Sequence, residues 1–554
     1  MAKPVILAVD DDREVLQAIA RDLRSQYAED YRILRAGSGE EALDALRELR
    51  LADEPVALLV VDQRMPGITG VQFLEQAIEH YPSARRVLLT AYADTEVAIR
   101  AINDVHIDYY LLKPWDPPSV QLYPVLDELL TDWLSTYRPA SQAVRLIGHR
   151  WSPDTHRARD FLARNQVPYQ WYDLDKDGEA AELLKATGMS QPSLPVLVLL
   201  DGTALEAPTN SVIAERMGMQ RAPELPLYDL AVVGAGPAGL AAAVYGASEG
   251  LKTALIESDA AGGQAGTSSL IENYLGFPSG LSGADLARRA LTQARRFGAE
   301  FLLTREVVSL EPRDGSTTLH LSDGTSISAL SVIVATGVRY RRLEAPGCEE
   351  LTGSGIYYGA ASTVADSVAG ENVFVVGGAN SAGQAALYLA KSAQSVTMLV
   401  RGGSLSSTMS QYLTNRIMET ENIQVELNTE VERAIGDERL EALQLRASDG
   451  RSWTAPATTM FVFVGAMPRT EWLGSSVMRD TRGFVLTGRD LMVENKYGPA
   501  WTLERAPLPL ETSAPGVFAA GDVRFGSGKR VAAAVGEGSM SVMLVWEYRN
   551  SIGL

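Results

Sequence analysis

A chain of 554 residues with one cysteine, Cys348, can hold no intrachain disulfide framework. Histidine is also scarce: His80, His106, His149, His156 and His320 lie scattered, none with cysteine partners at zinc spacing. Positive charge is in short supply. Fifty Lys and Arg against 69 Asp and Glu leave a net charge of -19, and neutralising nucleic-acid phosphates needs clustered cations. No nucleic-acid partner is therefore expected. No apolar run approaches the ~18 residues of a membrane span. Met1-Ala2-Lys3-Pro4 runs straight into a strand-like segment without the regions of an export signal, so a cytoplasmic location is expected. What remains is a globular composition, 46% hydrophobic, long enough for three to five domains of roughly 100–200 residues each.

The first segment alternates short apolar strands with helix-period stretches such as Glu14 to Ser25 and Glu40 to Arg50, the pattern of a doubly wound parallel sheet. Val5 to Val9 ends in Asp10-Asp11-Asp12, Val56 to Val61 in Asp62, Arg86 to Leu89 in Thr90, and Tyr109 to Leu112 in Lys113-Pro114. Residues just past the carboxyl ends of such strands gather at one edge. Carboxylates there suit Mg²⁺, and a nearby lysine suits a phosphoryl group. The set resembles the receiver domain of response regulators over residues 1–137. By that resemblance Asp62 is the phosphoacceptor, and Asp10, Asp11, Asp62 and Arg64 form the metal site. Thr90, Tyr110 and Lys113 are the implied switch residues, and a sensor histidine kinase the implied partner.

After a polar linker, Arg138 to Gln142, residues 143–222 follow a β-α-β-α-β-β order that resembles a glutaredoxin. In that family a Cys-Pro-x-Cys opens the first helix, where the helix dipole lowers a thiol pKa. Here Ser152 and Thr155 occupy the two cysteine positions, and Pro195 stands where the fold usually has a cis-proline. A docking or linking module is expected rather than a catalyst, because a serine without a positioned base is a poor nucleophile.

Two glycine-rich turns follow. Strand Asp229 to Val233 leads into Gly234-Ala235-Gly236-Pro237-Ala238-Gly239 at a helix start, and the next strand ends in Glu257. A GxGxxG between strand and helix, with an acid about twenty residues on, points to a dinucleotide whose pyrophosphate sits on the helix N-terminus. A second copy, Gly377-Gly378-Ala379-Asn380-Ser381-Ala382, is followed by a strand ending at Arg401, which favours a 2′-phosphate and hence NADPH.

One dinucleotide fold inserted in another resembles the small thioredoxin reductases over residues 226–554. Further marks are Gly262-Gly263-Gln264, Ile271-Glu272-Asn273-Tyr274, Ala335-Thr336-Gly337 and Gly516 to Asp522. The resemblance implies an FAD-binding domain at 226–345 and 472–554, with an NADPH-binding domain at 346–471 between them. It adds Gly263, Gln264, Asn273, Thr336, Gly337, Gly521, Asp522, Arg530 and Val531 to the FAD set, and Gly465 to the NADPH set. It also implies a homodimer. Asp490 to Pro509 is expected to be an exposed loop.

The departures carry equal weight. Where the family has Cys-x-x-Cys, this chain reads Gly359-Ala360-Ala361-Ser362, with open space expected beside Gly359 and Tyr357 or Tyr358 expected against the flavin. Thiolate attack on a disulfide needs sulfur. The expected activity is thus a phosphorylation-regulated, FAD-dependent NADPH oxidoreductase with an unknown, non-thiol electron acceptor. The alternatives are a non-catalytic flavin redox sensor, or a disulfide reductase that uses cysteines of a partner.

Overall fold

In the computed structural model the chain divides into two compact units, residues 1–143 and 144–554. The structure describes residues 3–553 apart from 53, 91–106, 138–142, 177, 190–191, 220–221, 279, 314, 360–367, 494–495, 498–500 and 502. The expected linker Arg138 to Gln142 lies outside the described residues, as do Ala360 to Ser362.

The first unit is a parallel sheet of β1 (Val5–Val9), β2 (Arg32–Ala36), β3 (Val56–Asp62), β4 (Arg85–Thr90) and β5 (Tyr109–Leu112), in the order β2-β1-β3-β4-β5. β1 and β3 are buried along their whole length, as a parallel sheet covered on both faces requires. Around it run α1 (Arg13–Tyr27), α2 (Gly39–Leu51), α3 (Gly70–His80) and α4 (Tyr123–Thr136). Asp12 caps α1 by accepting from the N–H groups of Glu14 and Val15, so the chain turns into helix directly after β1. That turn leaves Asp10 and Asp11 at the carboxyl edge of the sheet.

The second unit begins with β6 (Val144–Gly148), β7 (Tyr169–Asp173), β8 (Val196–Val198) and β9 (Ala204–Glu206), ordered β7-β6-β8-β9, with helix α5 (Pro153–Arg164). The Leu194–Pro195 bond is cis. Next come β10 (Leu227–Val233), β11 (Thr253–Glu257), β12 (Glu300–Leu303), β13 (Val307–Arg313), β14 (Ser316–Leu321) and β15 (Ser326–Val334), in the order β12-β11-β10-β15-β14-β13. Val517–Ala519 returns to pair in parallel with β15. The chain therefore leaves this sheet and comes back to it.

Between those points stands a second parallel sheet of β16 (Ile356–Tyr358), β17 (Asn372–Val376), β18 (Ser395–Val400), β19 (Ile423–Leu427) and β20 (Thr459–Val462), ordered β16-β20-β17-β18-β19. Helices α6 (Pro237–Ser248) and α7 (Asn380–Leu389) open directly after β10 and β17, and α8 (Val531–Ser551) packs on α6. A Cβ at Gly538 would overlap the Ala238 carbonyl, so glycine permits that close helix crossing.

The stretch expected to be an exposed loop is in part pinned down. Arg505 holds the fully buried Glu511 through two bonds of 2.6 and 2.8 Å and lies over the rings of Trp501 and Tyr548. A buried carboxylate needs a paired cation, and this segment supplies it. Among the described residues no helix is long and apolar enough to cross a membrane.

Candidate functional site

In the first unit the carboxylates of Asp10, Asp11 and Asp62 lie within 4.8 Å of one another. The Lys113 ammonium reaches Asp10 and Asp62, each at 2.6 Å. The Arg64 N–H donates to Asp62 Oδ2 at 2.7 Å, and the Thr90 carbonyl accepts from the Lys113 N–H at 2.8 Å. Burial pushes the Asp10 carboxyl above its ordinary range despite Lys113. Burial opposes the charge on Lys113, yet its hydrogen bonds and the two carboxylates outweigh that and raise its pKa. A compact, oxygen-only, anionic donor set fits a hard divalent cation such as Mg²⁺. Tyr110 stands 42% exposed on β5.

In the second unit a cavity of about 670 Å³ takes in every residue assigned above to FAD except Gly239. That volume is in the range of small-molecule sites. Its floor is backbone. Gly234 has φ +105°, and a Cβ there would overlap the Ala335 carbonyl, while one at Gly263 would come 3.0 Å from Gly236 Cα. Gly239 works from behind, because a Cβ on it would overlap the Gly234 carbonyl. At Gly236 a Cβ would meet nothing nearer than 4.0 Å, so that glycine leaves open room above the start of α6. No side chain caps α6, which leaves its first N–H groups for an anion. Glu257 binds the Ala235 N–H at 2.8 Å and the Asp259 N–H at 2.9 Å, fixing the acid beside the loop. These features fit the pyrophosphate and ribose of a dinucleotide.

The two glycine turns share that cavity only in part. Asn380 and Ser381, at the uncapped start of α7, line it, whereas Gly377, Gly378, Ala382, Arg401 and Gly465 do not. Asn380 Oδ1 accepts from the Ser410 N–H at 2.8 Å, which fixes the turn. Arg401 is exposed just past β18.

Three participants carry no sequence signal at their own positions. Glu537 on α8 accepts from the Gly521 N–H at 2.7 Å and pairs with Arg524 at 2.6 Å, holding the turn beside Asp522. Burial raises the Asp522 pKa, with Lys529 opposing. Tyr340 lines the cavity edge-on to Phe463, at 5.6 Å between ring centres. The face of α5 also lines it, from the module expected to dock or link rather than to catalyse.

The sulfur-free positions have been refilled. Ser152 is the N-cap of α5, accepting from the Thr155 N–H at 3.4 Å, and Thr155 is fully buried. The space expected beside Gly359 is absent. With φ +73°, a Cβ there would lie 2.6 Å from the Tyr340 ring. Tyr357 and Tyr358 both line the cavity, but Tyr357 is buried against Phe461 and His156, and the Tyr358 hydroxyl accepts from the Leu343 N–H. Cys348 is fully buried, and burial followed by the charge of Glu350 pushes its thiol up to about 11. It is no nucleophile.

The pattern of the pyridine nucleotide-disulphide oxidoreductases matches residues 228–538, more than half of the chain. The chain belongs to that family. The same oxidoreductase matches the response regulator receiver domain over residues 6–122 and glutaredoxin over 146–204. It is 34% identical over 327 residues to the thioredoxin reductase of Listeria innocua, covering 93% of that protein with 58% of itself. To the thioredoxin reductase of Treponema pallidum it is 31% identical, covering 98% of that protein with 59% of itself. Among solved structures it resembles the Lactococcus lactis thioredoxin reductase in its FR conformation, at a TM-score of 0.52 and 27% identity, covering 98% of that chain with 58% of itself. The T. acidophilum thioredoxin reductase gives a TM-score of 0.52 and 28% identity, with 100% of that chain covered by 59% of this one. The oxidoreductase thus joins a receiver and a glutaredoxin-like module to a thioredoxin-reductase-like body.

Proposed function

We propose that the chain is a phosphorylation-controlled, FAD-dependent NADPH oxidoreductase whose acceptor is not a disulfide. The observation that carries this reading is Tyr340 seated where a side chain at position 359 would have to lie. The one cysteine is buried with a raised pKa, which further supports it. When bound, NADPH supplies a hydride and FAD supplies a carrier that passes electrons onward. The chain's own part is placement. Gly234, Gly236 and the start of α6 would hold the FAD pyrophosphate, Glu257 its ribose, and Asn380 and Ser381 the nicotinamide nucleotide. Arg401, exposed past β18, would read the 2′-phosphate. Tyr340 and Tyr357 would exclude water beside the flavin, where the family keeps its thiols.

Asp62 would take a phosphoryl group from a sensor histidine kinase, with Asp10, Asp11, Asp62 and Arg64 around Mg²⁺, Lys113 pairing with the phosphate, and Thr90 and Tyr110 responding. A receiver that favours one arrangement of the nucleotide-binding domains would gate flavin reduction. A homodimer is proposed on family grounds, and sedimentation would test it.

The deciding experiment measures NADPH oxidation by the FAD-loaded protein with oxygen, with quinones and with a protein disulfide, each with and without beryllofluoride. Turnover with oxygen or quinone that changes with beryllofluoride is the expected result. Robust disulfide turnover would overturn the reading. One equivalent of flavin reduction without turnover would make the protein a sensor.

A further inference from the structure

Helix α5 of the glutaredoxin-like module turns a single stripe toward the cavity: Pro153, His156, Arg157, Asp160 and Arg164. The spacing of three and four residues puts all five on one helical face. From first to last, the helix spans roughly 17 Å at 1.5 Å per residue. Both ends are tied down. At the amino end the His156 ring lies 4.7 Å from that of Tyr357, and the Ser354 hydroxyl donates to the Trp151 carbonyl at 2.6 Å. Arg150 pairs with Glu371 at 2.8 Å. Gly353, at φ +87°, lets Pro153 approach so closely that a Cβ would come 2.8 Å from its Cα. At the carboxyl end Arg164 pairs with Asp259, which also accepts from the Asn165 side chain through its backbone carbonyl at 3.2 Å. Asp259 lies two residues beyond Glu257, the acid placed to hold a ribose.

The thioredoxin reductases spend 93–98% of their length on 58–59% of this chain, so they have no length left for such a module. The stripe is also not a thiol-exchange surface. Ser152 is committed as a cap, and the His156 ring packs on Tyr357.

We propose that α5 is the outer wall of the dinucleotide cleft, closing over the adenosine half of the bound flavin nucleotide and setting the rate at which it leaves. The proposal rests on the cleft being an FAD site. Loss of its thiols then has a structural counterpart: the module has moved from exchanging electrons to retaining a cofactor. Arg164 and Asp259 form the latch nearest Glu257, and His156 on Tyr357 forms the one at the other end.

The test uses the full-length protein loaded with FAD, release being followed by the recovery of free-flavin fluorescence after dilution. Arg164→Glu, which sets like charges together at the latch, is expected to speed release at least tenfold. Adding Asp259→Arg to that variant is expected to bring release back to within threefold of the wild type. Independently, hydrogen exchange of amides 154–164 in the wild type is expected to slow at least tenfold when FAD is added. Equal release rates in the wild type and Arg164→Glu overturn the proposal, and so does exchange in α5 that ignores FAD. A wild-type protein that takes up no FAD defeats the functional reading beneath it, and the two failures are therefore distinguishable.

Discussion

The receiver edge and the two sulfur-free sites treat chemistry in opposite ways. At the receiver edge three carboxylates crowd within 4.8 Å, two of them buried, and burial raises the Asp10 pKa. Asp10 and Asp62 do fix their turns, accepting from the Asp12 and Arg64 N–H groups at 2.9 and 2.7 Å, but three crowded carboxylates exceed what two turns need. Apolar side chains at the ends of β1 and β3 would fill such space with less electrostatic conflict. At Ser152 and Gly359 the replacements serve the fold. Ser152 caps a helix, and Gly359 admits a half-buried aromatic ring. Strain kept without structural benefit marks a working site, and strain relieved marks a site given over to packing. The cavity follows the first rule: Gly234 at φ +105° and the uncapped starts of α6 and α7 are arrangements a ligand would complete.

The contrast breaks most sharply at Asp62. Asp62→Asn is expected to abolish phosphoryl incorporation from a small-molecule phosphodonor, measured by mass, while melting within a few degrees of the wild type. Retained incorporation would show that the acid cluster is not the acceptor. Next in size is Gly236→Val, which places a branched side chain in the open room above α6. FAD affinity is expected to fall about 100-fold, or ~2.7 kcal/mol, by titration of flavin fluorescence. An unchanged affinity would mean that the room above the turn is not used.

At Gly359 the expectation is structural. Gly359→Cys demands a positive φ of a side-chain residue and pushes Tyr340 aside, at a cost of about 1–3 kcal/mol in urea unfolding. Tyr340→Ala in the same chain is expected to recover part of that cost. If Gly359→Cys proves neutral, position 359 has not been repacked, and its contrast with the receiver edge weakens.

Much of this was legible in the residues. The doubly wound α/β sheets follow from strand and helix periods, and the first glycine turn from its place between β10 and α6. The cavity then gathered nearly all of the residues expected to hold FAD, including Asn273 and Arg530, far apart in sequence. What escaped was long-range. Tyr340 fills the space beside Gly359 across some twenty residues of chain, and no local pattern announces a ring packed on a glycine. Glu537 reads as one more polar residue on α8, and only the return of Val517–Ala519 to β15 brings the Gly521 turn to it. The stripe on α5 carries no local mark of its role, because its partner surface lies in another module. Arg505 was hidden for the same reason, since its value depends on the burial of Glu511.

The smallest effect concerns His156, which packs on Tyr357 at the seam between the module and the body. Burial, and then the charge of Arg159, lower its pKa to about 4. An unfolded histidine titrates near ~6.5. The folded state therefore binds the proton less readily than the unfolded chain. Its contribution is intact above about pH 6.5 and is lost as pH falls toward 4. By pH 5 the loss is expected to reach about 2 kcal/mol, from the ~1.4 kcal/mol that each unit of differential titration represents. His156→Gln removes the titrating group, so the stability difference between pH 7 and pH 5 is expected to shrink by about that amount in urea unfolding. An undiminished difference would mean that the ring reaches water at the seam. Docking there would then be looser than the 4.7 Å approach to Tyr357 implies, and the packing half of the contrast would fail where α5 meets β16.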